Sequence, residues 1–90
     1  MKLDDALFNW LQIQVVAVAR PHDASAQETA SFFLEILTND HHVSEPRYEE
    51  DESSYILSFY MDGQLVTKRY DKENVDSLLV AIESEPKYNQ

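Results

Sequence analysis

Two adjacent histidines, His41 and His42, stand beside Asp40 in a segment, Asn39 to Ser54, that also carries five further acids. Histidine with carboxylate is a zinc ligand set, and paired carboxylates are the apparatus of acid–base hydrolysis. Adjacent side chains point to opposite faces of a strand, or about 100° apart on a helix. His41 and His42 therefore do not converge on one ion by local structure alone. A metal site would need His22, beside Asp23, to be carried round to one of them by the fold. His22, His41 and His42 are the metal-ligand candidates, and nothing in their spacing requires a metal. No cofactor is expected.

The run Glu49-Glu50-Asp51-Glu52 has the charge for calcium but not the spacing. It lacks the alternating oxygen ligands and the turn glycine of an EF-hand loop. Gly63 is the one glycine of the chain, so there is no glycine-rich phosphate cradle, and no elbow motif sets a serine beside a histidine. With no cysteine, thiolate metal sites, disulfides and a cysteine nucleophile are excluded. Catalysis is not expected; the acidic run reads as a charged turn.

The elements that must position these residues follow from periodicity. Asp4 to Ala19 reads as a helix capped by Asp4, and Pro21 prevents its continuation. Leu7, Phe8, Trp10, Leu11, Ile13, Val15, Val16 and Val18 leave only a narrow polar stripe, so this helix needs cover on several sides. It is either the centre of the fold or one side of a homodimer seam. Ser25-Ala26-Gln27-Glu28 matches a capping box, opening a second helix that ends near Thr38 with Asn39 as a left-handed cap.

Tyr55 to Met61 and Gln64 to Tyr70 flank Asp62-Gly63, the signature of a two-residue type I′ hairpin. That turn sets Met61 opposite Gln64, Phe59 opposite Val66 and Tyr55 opposite Tyr70. Tyr55, Leu57, Phe59, Met61, Val66 and Tyr70 then form the core face, and Ile56, Ser58, Tyr60, Leu65, Thr67 and Arg69 the other. The stretch from His42 to Glu50 is a third strand, placed at the sheet edge by Pro46. A turn centred on Asp51-Glu52 would set Tyr48 opposite Tyr55. Asp71 caps a last helix carrying Val75, Leu78, Leu79 and Ile82; Pro86 stops it, and residues 86–90 read as a tail. The expectation is one domain over 1–90, with an ordered core over about 4–85. Its fold class is α+β, ordered α-α-β-β-β-α, a three-stranded antiparallel meander with helices packed on one face.

Seventeen acids against seven bases give a net charge of −10. Such a surface repels phosphate backbones and anionic head groups, so neither nucleic acid nor membrane is an expected partner. No apolar run is long enough to span a bilayer, and the acidic start is unlike a signal peptide, so a cytoplasmic protein is expected. The order from Ser25 to Glu85 resembles that of double-stranded RNA-binding domains. The resemblance implies fold alone, because "DKENVD" stands where those domains place phosphate-gripping lysines.

The opening "DDALFNWLQI" resembles short uncharacterised proteins of Bacillus-type Gram-positive bacteria, which implies a bacterial protein of unknown role. Two function classes remain. One is a small acidic protein-interaction or adaptor module, contacting a protein partner or a second copy through Trp10 and Phe8 on the first helix or Ile56, Tyr60 and Leu65 on the sheet. The other is an acidic inhibitor that imitates nucleic acid and occupies a basic site on a partner.

Overall fold

The computed structural model describes residues 1–85, so the expected tail after Pro86 lies outside the described residues. Six elements follow in the expected order: α1 (Leu3–Ala19), α2 (Ala24–His41), β1 (Val43–Glu50), β2 (Ser54–Met61), β3 (Gln64–Asp71) and α3 (Lys72–Ser84). The strands form one antiparallel meander in the order β1-β2-β3, and the helices pack on one of its faces.

α1 is the central element. Leu7 and Leu11 join Leu57 and Phe59 of the sheet in one core cluster, while Ile13 and Val16 pack with Ala26 and Ala30 of α2 in a second. Two ring contacts tie the helix to the sheet: Phe8 lies 6.0 Å from Tyr70, and Trp10 meets Tyr48 edge-on at 6.1 Å. Apart from Val18, which is 63% exposed, a helix apolar nearly all round is thus covered within its own chain, which replaces the homodimer-seam reading of α1.

The caps differ from expectation at three ends. α1 begins one residue early, with Lys2 as an N-cap that makes no side-chain bond, so Asp4 is a first-turn residue that complements the helix dipole. α2 is capped by Asp23, whose Oδ1 accepts the Ala26 N–H at 3.1 Å, and not by Ser25. Ser25 lies inside the helix, where its carbonyl accepts the Thr29 hydroxyl. A carboxylate at Asp23, also paired with Arg20 Nε at 3.2 Å, is the stronger acceptor for orphan helix donors. α2 also runs three residues past Thr38, and the left-handed cap is His42 rather than Asn39. Asp71 caps α3 as expected, accepting the Asn74 N–H.

The β2–β3 register is the one the Asp62-Gly63 turn dictates. Both turn residues have positive φ, 53° and 78°, as a type I′ turn requires. The β1–β2 register is displaced by two residues: Tyr48 faces Leu57, and Glu50 faces Tyr55. Asp51 is the cause. Its Oδ1 accepts the N–H groups of Ser53 at 2.9 Å and Ser54 at 2.7 Å, so the turn closes between Asp51 and Ser54, one residue later. A displacement of two preserves the faces, and Tyr48 still joins the core side, its ring 6.0 Å from Tyr55. Between Ser44 and Arg47 the ladder is broken by a bulge, with Glu45 at φ 53° and Pro46 beside it.

Candidate functional site

His22 stands in the turn before α2, and His41 is the last residue of that helix. Eighteen helical residues separate the two ends by about 27 Å, so His22 meets neither His41 nor His42. His41 Nε2 lies 2.9 Å from the Met1 carbonyl oxygen, and His42 serves as a backbone cap. Among the described residues no three histidine, aspartate or glutamate side chains gather as metal ligands.

A different polar group assembles where the β1–β2 turn meets the start of α3. The Tyr55 hydroxyl donates to Asp76 Oδ1 at 2.6 Å, and Lys72 Nζ donates to Glu50 Oε2 at 2.7 Å while lying 5.4 Å from the Tyr55 ring centroid. Burial, then the bond to Asp76, pushes the Tyr55 phenol well above its ordinary value. Lys72 is raised and Glu50 lowered, each chiefly by its bond to the other. Tyr55, Lys72 and Glu50 are each driven further into the form they hold at neutral pH, opposite to the tuning of a general acid or base. The cluster is a clasp between sheet and helix. Sequence reading missed it because its members are scattered from residue 50 to residue 76, and no spacing rule links them.

The interaction candidates separate by burial. Trp10 is 5% exposed and belongs to the core, which overturns its reading as a contact residue. Phe8 is half-buried against Tyr70. Ile56, Tyr60 and Leu65 share the sheet face that no helix covers. Cross-strand pairing sets Tyr60 between Ser44 and Leu65, Ser58 between Arg47 and Thr67, and Ile56 between Glu49 and Arg69. Ile56 and Tyr60 are half-buried by their neighbours, and Leu65 is 54% exposed. A shallow recess between Arg47, Glu49, Ile56 and Ser58 indents this face.

Two further apolar features lie on the helical side. A groove of about 530 Å³ runs between α2 and α3, floored by Ile13 and Val16 and walled by Ala26, Leu78, Ala81 and Ile82. Its floor is already core, and its walls Leu78 and Ile82 are half-buried. Phe32, to which periodicity assigned no role, is 57% exposed on the outer side of α2 beside Glu28 and Glu35. Its position off the 3.6-residue stripe was the available signal.

No helix among the described residues is long and apolar enough to cross a membrane. No protein-family model matches the chain, no curated protein matches its sequence, and no solved structure matches its fold.

Proposed function

We propose that this protein is a small, non-catalytic interaction module that receives a protein partner on the open face of its sheet. The observation that carries the reading is one-sided packing. All three helices cover the same face, and the other holds Ile56, Tyr60 and Leu65 in an otherwise polar setting. Large side chains ringed by Ser, Thr, Arg and Glu match the make-up of contact surfaces, with an apolar or aromatic centre and a polar rim. The face is also rigid, because β2 lies between two paired strands. A cytosolic location and a bacterial source belong to the same reading.

The test is capture from native cytosol by wild-type protein and by Tyr60→Ser, at low and high salt. Tyr60 is on the central strand and half-buried, so its truncation removes contact area without opening the core. The expected result is a protein held by the wild type at both salts and lost by the variant, with an unchanged far-ultraviolet circular dichroism spectrum. Equal capture by both proteins would remove the open face from consideration. Capture that collapses at high salt whichever residue stands at 60 would favour the nucleic-acid-mimic alternative.

A further inference from the structure

The two edges of the sheet are treated differently. β1 is blunted: Pro46 offers no N–H, Glu45 at φ 53° opens a bulge, and α2 runs alongside near Pro46. β3 is regular over its eight residues, with neither proline nor bulge. In a two-residue hairpin the flanking pair, Met61 and Gln64, exchanges backbone bonds, and alternate residues do so thereafter. The N–H and C=O groups of Leu65, Thr67 and Arg69 therefore point away from β2. Among the described residues no backbone bond from another element reaches them. A lysine facing inward on an edge strand normally deters pairing, but Lys68 is neutralised by Asp4 Oδ1 at 3.1 Å. Arg69 is likewise paired with Asp51 at 3.2 Å.

We propose that β3 pairs antiparallel with β3 of a second copy of this chain, joining two three-stranded sheets into one of six strands. Charge selects both the place and the direction. Two copies of net charge −10 repel over most of their surfaces, and the β3 edge carries two of the seven cationic residues, each already beside an acid. Those two pairs cancel locally, so repulsion is lowered there. Parallel pairing would set Lys68 and Arg69 beside their own copies, whereas antiparallel pairing moves them to the far end of the other strand. Centred on Val66, it sets Leu65 opposite Thr67 of the second copy and Lys68 opposite Gln64, diagonal to Asp62. The inference goes beyond the partner-binding face, since it uses the edge of the sheet and makes that face continuous across both copies.

Analytical ultracentrifugation of the full chain tests it. The expected result is a monomer–dimer equilibrium that tightens as salt is raised, because screening weakens the repulsion between like-charged copies. Thr67→Pro deletes an outward N–H while the bonds to β2 use residues 66 and 68, and this variant is expected to sediment as a monomer. Thr67→Glu keeps the N–H but adds an anion to each copy at the seam, on top of the charge of −10 each already carries, and is expected to weaken the dimer by about tenfold or more. Buried Trp10 reports folding by its emission; if the proline variant misfolds, the glutamate variant decides the outcome. Hydrogen exchange on the wild type supplies the second readout. The amides of Leu65 and Thr67 should slow as concentration rises. A wild type that stays monomeric with those amides exchanging freely, or a Thr67→Glu chain that dimerises as well as wild type, would overturn the proposal. So would amides that slow only when a different protein is added. Tyr60→Ser leaves this edge untouched, so failure of the dimer and failure of the partner-binding face are separate outcomes.

Discussion

Tyr55 concentrates the residue-scale chemistry of the molecule. Its ring is buried among Tyr48 and the core, and its hydroxyl ends on the Asp76 carboxylate. Burial leads in raising Tyr48 and Tyr70 as well, so three phenols in the fold resist ionisation. A raised folded pKa means the unfolded chain releases its protons first. Stability from these groups is whole below the ordinary tyrosine value of about 10 and declines as pH climbs beyond it. Tyr55→Phe should therefore cost about 1–2 kcal/mol at neutral pH, where the bond to a charged acceptor is intact. Above about pH 10 the gap between wild type and variant should narrow, because the variant has lost that alkaline liability. Denaturant unfolding at both pH values checks the sign; a gap that widened would mean that the folded phenol ionises more readily than the unfolded one, against the effect of burial and of Asp76. On the acid side the direction reverses. Asp51 is held below the usual carboxylate range mainly by the Ser53 and Ser54 N–H groups, and Asp23 mainly by the Ala26 N–H. Their contributions are present above that range and fade as pH falls through it.

At the scale of elements, the hairpin turn and the β1–β2 turn show what local chemistry can dictate. Asp62-Gly63 admits one common geometry, and the whole β2–β3 register follows from it. Gly63 sits at φ +78°, and an added Cβ would meet nothing within 4 Å, so Gly63→Ala carries a purely conformational cost. We expect a loss of about 1 kcal/mol with the hairpin register unchanged, read as a lower midpoint of thermal unfolding. A variant as stable as wild type would mean that the turn relaxes to another type. The acidic turn was less legible, because Asp51 is at once a strand-end charge and a turn acceptor, and only its two short bonds decide which. The α2 cap was less legible too: the Ser25-to-Glu28 pattern fits a capping box, but the bond from the Ala26 N–H to Asp23 moves the cap two residues earlier. Trp10 was ambiguous for a different reason. A helix apolar on every side satisfies an interior position and an interface equally, and what resolves it is how many layers surround it. Ile56, Tyr60 and Leu65 needed only the side-chain alternation of a strand, so their shared face was readable from the turn alone.

For the whole molecule the dominant long-range quantity is the charge of −10, and its effect depends on distance. The structure has a radius of gyration of 13.3 Å and a longest extent of 44 Å. At about 0.01 M salt the Debye length is about 30 Å, so nearly every acid feels most of the others; at physiological salt it is about 8 Å, and only neighbours interact. Unfolding spreads the acids apart, so unscreened repulsion weighs against the folded state. Screening also weakens favourable pairs, but those between Lys68 and Asp4, Arg69 and Asp51, and Lys72 and Glu50 join exposed or half-exposed groups, where such contacts count for little. Repulsion relieved over the whole surface should outweigh these three weakened attractions together with the less exposed Arg20–Asp23 pair at the start of α2. The midpoint of thermal unfolding should therefore rise between low and physiological salt, measured at protein concentrations dilute enough to keep the chain monomeric. A midpoint that fell would mean that the ion pairs beside β3 and the β1–β2 turn, rather than the net charge, govern how this molecule answers to salt.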